Sequence, residues 1–119
     1  MKPTATKGPL NVRGAIHWRQ IRNVVKQIVR AVAPQRVILF GSCASGRARR
    51  DSDVDLLVVT ERPAGQDASL RVRSCIRYAF PLDLIVCDAR RLARRIKAGD
   101  FFLQDVVQCG RVLYEKPHR

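Results

Sequence analysis

Three aspartates interrupt otherwise apolar stretches of this 119-residue chain. Asp53 and Asp55 flank Val54 at the head of Val54-Asp55-Leu56-Leu57-Val58-Val59-Thr60, and Asp83 lies inside Pro81-Leu82-Asp83-Leu84-Ile85-Val86. Both runs are rich in branched aliphatic residues and predict strands. Residues two apart on a strand share a face, about 6.5–7 Å from each other along it. Two carboxylates so placed beside a core repel each other and resist desolvation. A divalent cation removes both costs, because carboxylate oxygens are the natural ligands of Mg²⁺. If the two runs are neighbours in one sheet, three carboxylates converge on one patch. An aspartate at a strand edge more often caps or turns the chain, and that reading stays open for Asp53, which follows Ser52 in a loop. Asp55 and Asp83 resist it, since apolar residues flank both.

A glycine turn lies just upstream. The run Arg36 to Phe40 reads as a strand that passes directly into Gly41-Ser42, with Gly46 four residues later. A strand entering glycine and then a short helix leaves backbone N–H groups pointing outward, which suits phosphate. Gly41 would let the backbone approach a ligand, and the Ser42 hydroxyl could bond a phosphate oxygen. The G-S-x-x-x-G pattern alone is nonspecific, and ordinary strand-to-turn usage also accounts for it. Neither the P-loop nor the G-x-G-x-x-G pattern occurs. Arg47, Arg49 and Arg50 follow closely, and one of the three is expected to reach phosphate or acceptor.

The elements that must position these residues follow from periodicity. Residues 1–14 hold prolines and glycines without periodicity and read as a basic tail, leaving 15–116 as the folded domain. Ile21, Val24, Val25, Ile28, Val29 and Val32 recur at helical spacing, predicting a helix from about His17 to Ala33 that Pro34 ends. Ser42 to Ser52 predicts a turn, a short helix and a loop. The strand from Val54 is apolar on both faces beyond its start, hence central. Ala68 to Ala79 predicts a helix with Leu70, Val72, Cys75 and Ile76 inward and Arg73 and Arg77 outward. A third strand runs from Leu82 to Cys87. Asp88 and Asp100 suit helix N-caps, Gly99 and Gly110 suit the ends of those helices, and Val112 to Glu115 suits an edge strand. The fold class expected is α/β (α+β): a small mixed sheet flanked by helices.

Composition narrows the class. The chain is 46% hydrophobic and only 6% aromatic, so its core is built from Val, Ile, Leu and Ala. No apolar run approaches the roughly 20 residues that span a bilayer, and the basic N-terminus lacks the apolar stretch of a secretory signal; a soluble, cytoplasmic protein is expected. Cys43, Cys75, Cys87 and Cys109 lack zinc or disulfide spacing and read as small half-buried thiols. The net charge of +13 implies attraction to polyanions such as nucleotides, RNA or an acidic protein, without choosing among them. The Arg90-Arg91 and Arg94-Arg95 pairs predict an outer helix face. His17 and His118 have no partner at catalytic spacing, and Trp18 and Tyr78 suit packing better than base stacking.

The run Gly41-Ser42-Cys43-Ala44-Ser45-Gly46-Arg47-Ala48-Arg49-Arg50-Asp51-Ser52-Asp53-Val54-Asp55-Leu56 closely resembles the signature of the DNA polymerase beta-like nucleotidyltransferase superfamily. Chain length and the closing Gly110-Arg111-Val112-Leu113-Tyr114-Glu115 resemble its minimal nucleotidyltransferases, often antitoxins of toxin–antitoxin pairs. The resemblance implies nucleotide binding at Gly41 and Ser42, with Gly46, Arg47 and Arg49 beside them. It implies metal ligands at Asp53 and Asp55, and a third at Asp83 that helps activate the attacking group. Two Mg²⁺ ions and ATP or another NTP are expected. The implied reaction is transfer of a nucleoside monophosphate, AMP foremost, to a hydroxyl acceptor. A cognate HEPN-type toxin is the expected partner, or a homo-oligomer completes the site. The alternative is a binding module that neutralises a partner or binds RNA through its basic surface.

Overall fold

The computed structural model describes residues 18–45, 53–65 and 67–117. The reading of residues 1–14 as a tail, and those of His17, Gly46, Arg47, Arg49, Arg50 and His118, lie outside the described residues. Four strands, β1 (Arg36–Phe40), β2 (Val54–Thr60), β3 (Leu82–Asp88) and β4 (Arg111–Glu115), form one sheet in the order β3-β2-β1-β4. β2 pairs parallel with β3, while β1 pairs antiparallel with both β2 and β4. The sheet is therefore mixed, with β2 inside it as the doubly apolar run requires.

Strand alternation splits the core into two layers. Val54, Leu56 and Val58 face one side with Val37, Leu39, Leu82 and Leu84, and meet Ile21, Val24, Val25 and Ile28 of α1 (Trp18–Val32). Leu57, Val59, Ile38 and Cys87 face the other, where Leu92 of α4 (Ala89–Lys97) and Leu103 and Val106 of α5 (Phe101–Cys109) cover them. α2 (Ser42–Ser45) is the short helix after β1, and α3 (Ala68–Ser74) links β2 to β3 beside α1. The parallel pair needs such a crossover, since a tight hairpin joins only antiparallel strands.

α3 ends earlier than its periodicity predicts. Gln27 of α1 captures the chain instead: its Oε1 accepts from the Arg77 amide at 2.7 Å and its Nε2 donates to the Arg77 carbonyl at 2.8 Å. Pro81 disfavours helical backbone at Phe80, whose ring is buried. Leu70, on the outer side of α3, and Cys75, just past its end, are at the surface, against expectation, while Val72 and Ile76 are inside. Arg73 also departs from its expected outward course; its Nη1 donates to the Leu82 carbonyl at 2.8 Å and ties α3 to the start of β3.

The N-caps fall where the sequence places them. Asp88 accepts from the Arg91 amide at 2.8 Å and Asp100 from the Leu103 amide at 3.0 Å. These bonds hold both carboxyls below the usual carboxylate range. Cys43 and Cys87 are buried, Cys75 and Cys109 exposed, and all four thiols are free.

Gly110 joins α5 to β4 against the sheet. A Cβ there would overlap the Val106 carbonyl oxygen and lie 2.6 Å from Ile38 Cγ2 and 3.0 Å from the Leu39 carbonyl oxygen. Two of those obstacles are backbone and cannot turn aside. Gly110→Ala is expected to destabilise the fold by about 1–3 kcal/mol, as overpacking of a filled site does, measurable by urea denaturation.

Candidate active site

The three aspartates gather at one end of the β2–β3 pair. Asp55 and Asp83 are register partners across the two parallel strands, and Val54 pairs with Leu82 beside them. Adjacent strands lie about 4.8 Å apart, so two carboxylates stand side by side. Both belong to the face that carries Leu57, Val59 and Ile85, at the end α4 and α5 leave uncovered. Asp53 precedes the strand by one residue and is exposed.

Local bonds hold this end of the sheet. The Val54 amide donates to the Pro81 carbonyl at 2.9 Å, starting the parallel ladder. The Cys43 thiol, fully buried in α2, donates to the Asp53 carbonyl at 3.4 Å. Cys43, which the sequence offers only as a small half-buried thiol, thus anchors the glycine turn to the head of β2. Burial and the nearby Asp55 and Asp53 charges raise its pKa, so it remains a thiol. Its burial at a helical position beside two small residues was the only signal for this role.

Gly41 adopts φ 77°, backbone that a side chain disfavours. A Cβ there would overlap Asp55 Oδ2 and lie 3.2 Å from Asp55 Cγ. Glycine is therefore required by the carboxylate as well as by the turn. After it, the amides of Ala44 and Ser45 both return to the Gly41 carbonyl, at 3.1 and 3.2 Å. This closes the first turn of α2 next to the acidic patch, with Ser42 half-buried at its start.

Burial, with the neighbouring charges of Asp83 and Asp53, pushes the Asp55 carboxyl up to about 6. No ion pair among the described residues involves any of the three aspartates. An oxygen-only, unneutralised cluster in a chain of charge +13 fits a hard divalent cation. Among the described residues no three such side chains stand together around a single point as placed. Asp83 is exposed, so the desolvation cost expected from its apolar flanks does not arise there; the cost falls on Asp55.

A nucleotidyltransferase is what this sheet and its acidic end define, and the chain belongs to that family. The model of the nucleotidyltransferase domain matches residues 18–109, within the polymerase beta-like superfamily. A Methanocaldococcus jannaschii protein named "putative protein adenylyltransferase" is 30% identical over 80 residues, 67% of this chain and 78% of its own. Two crystal structures share the fold. A "putative nucleotidyltransferase" from Sulfolobus solfataricus aligns with TM-score 0.59 and 20% identity over 82% of this chain and 79% of its own. A structure described as "the toxin-antitoxin with AMP-PNP" aligns with TM-score 0.56 and 24% identity over 80% and 73%.

Above about pH 6 the folded chain carries Asp55 ionised beside two other carboxylates, and that charge opposes folding. The raised pKa means this destabilisation grows as pH rises through the interval from the ordinary carboxylate value to about 6. Asp55→Asn is thus expected to raise the Tm in chelator at about pH 7.5, and to raise it less at about pH 4.5, where the folded carboxyl already holds a proton. Differential scanning calorimetry at the two pH values checks this.

Proposed function

We propose that the chain transfers AMP from ATP to a hydroxyl of another protein, within a domain of residues 15–116. The observation that carries this reading is the register match of Asp55 with Asp83 across β2 and β3, with Gly41 packed against the Asp55 carboxylate. Asp53, Asp55 and Asp83 would hold Mg²⁺, two ions in all, which when bound would lower the pKa of an acceptor hydroxyl and neutralise the leaving pyrophosphate.

The rest falls to the chain itself. Gly41 and Ser42, at the first turn of α2, hold the β- and γ-phosphates through backbone amides and the Ser42 hydroxyl, where amides have no preceding helical carbonyl. That hold leaves the α-phosphorus open to attack from the side of β3. Asp83 is exposed and takes the proton of the acceptor hydroxyl. The hydroxyl oxygen bonds to the α-phosphorus as the bond to the bridging oxygen breaks, and pyrophosphate departs with its electron pair. Gly46 and one of Arg47, Arg49 and Arg50 complete the phosphate contacts.

Adenylate as the group and protein as the acceptor are supported by the name of the Methanocaldococcus jannaschii relative. A toxin–antitoxin setting is supported by the neighbour solved with AMP-PNP; that the acceptor is a HEPN-type toxin in the cytoplasm, with this chain its antitoxin, rests on the resemblance of the Gly41–Leu56 run. No helix among the described residues is long and apolar enough to cross a membrane.

Asp53→Asn combined with Asp55→Asn should abolish Mg²⁺-dependent transfer of label from α-labelled ATP to the partner, with the circular dichroism spectrum retained. Mass spectrometry of the partner after incubation with ATP and Mg²⁺ should show an added AMP. If the partner is inhibited without that added mass, the chain acts by binding alone and the transfer reading is wrong.

A further inference from the structure

Away from the acidic patch, α1 and the edge strand β4 enclose a groove of about 610 Å³. Its lining includes the cations Arg22, Lys26, Arg30 and Arg111, and no carboxylate among the described residues. Arg22, Lys26 and Arg30 are spaced four apart and form one stripe on α1, since such residues are neighbours on a helix surface. Opposite them stands β4, last in the sheet order, with the apolar Val112 half exposed. Two polar atoms facing this region are buried without a hydrogen-bond partner among the described residues: Arg111 Nη1 and Trp18 Nε1. A buried guanidinium nitrogen left unpaired is costly, and a carboxylate satisfies it with strong, directional bonds.

Charge decides among occupants. The chain's own first 17 residues carry Lys2, Lys7 and Arg13 and no Asp or Glu, so they do not complement the groove. A second copy brings another +13 and is repelled. Nucleic acid would match the charge, but single strands also stack on free aromatic faces, and a phosphate backbone gains nothing from the apolar Val112. Trp18 and Tyr114 are packed against the core instead. An open strand edge accepts an added strand through its main chain.

We propose that this groove binds an acidic, extended segment of a partner protein, laid along β4 with its carboxylates toward Arg22, Lys26, Arg30 and Arg111 and its alternate apolar side chains toward Val112. The groove lies on the α1 side of the sheet and at the opposite edge from β3, so the site stands apart from the transfer reaction.

Trp18 is the only tryptophan and reports on the groove directly. A twelve-residue peptide of alternating Glu and Val, titrated into the full chain, is expected to shift Trp18 emission and to saturate. Lys26→Glu with Arg30→Glu, both at exposed positions, is expected to weaken binding by about tenfold or more. Arg90→Glu with Lys97→Glu changes net charge equally on the remote α4 and is expected to leave the affinity within about twofold. Equal weakening by the two pairs would mean diffuse attraction and overturn the groove. So would an oligouridylate of equal charge that binds more tightly than the peptide and loses that advantage in the Lys26→Glu, Arg30→Glu variant, since the site would then be one for RNA. Unchanged Trp18 emission with no measurable peptide binding by calorimetry would also overturn it.

Discussion

Asp55 and Asp83 stand side by side because the β2–β3 register puts them there, and much of the structure near them exists to hold an arrangement that electrostatics opposes. Like charges on adjacent strands repel, and partial burial of Asp55 adds to the cost. What resists their separation is apolar: Val54, Leu56, Leu57, Val58 and Val59 are fully buried immediately downstream. A register slip of one residue would send those side chains to the wrong faces, so the core dictates where the acids stand. The acids pay no part of their own placement.

The same constraint reaches the glycine turn. Because Phe40 pairs with Asp55, the residue after Phe40 passes close to the Asp55 carboxylate, and a side chain there would both push that carboxylate aside and strain a backbone at φ 77°. The left-handed backbone at Gly41 then starts α2, and Cys43 within it returns to the Asp53 carbonyl. Turn, thiol and carboxylates thus form one connected unit. Glycine turn and carboxylates are held in one arrangement by the β1–β2 pairing and the Cys43–Asp53 link.

Charge is distributed unevenly over the molecule. A strongly basic chain gathers carboxylates that make no ion pair among the described residues at one end of one sheet face, while α1 and α4 carry rows of exposed cations. Such a field draws polyanions toward the protein as a whole. On the other side of the sheet, the cations of α1 overlook an open strand edge.

Much of this was legible in the residues. β1 falls on Arg36–Phe40 as its β-branched run and stopping glycine demand, and Asp88 and Asp100 cap their helices because side-chain capping is a local act. Strand period predicts a shared face for Asp53 and Asp55, but β2 starts at Val54, so Asp53 stands before the strand rather than on its face. What one-dimensional periodicity does not hold is which strands are neighbours and where a distant element intercepts the chain. The early end of α3 depends on Gln27, fifty residues before Arg77. The role of Cys43 depends on the Asp53 carbonyl ten residues away, and the exposure of Asp83 on how far α4 and α5 extend over the sheet. Sequence by itself determined the element types, the caps and the acids, because these rest on local backbone preference and hydrophobic period. Only the tertiary structure decided that Asp83 stands beside Asp55 and that Gly41 lies beneath it, because strand order and register are settled by burying two apolar faces at once.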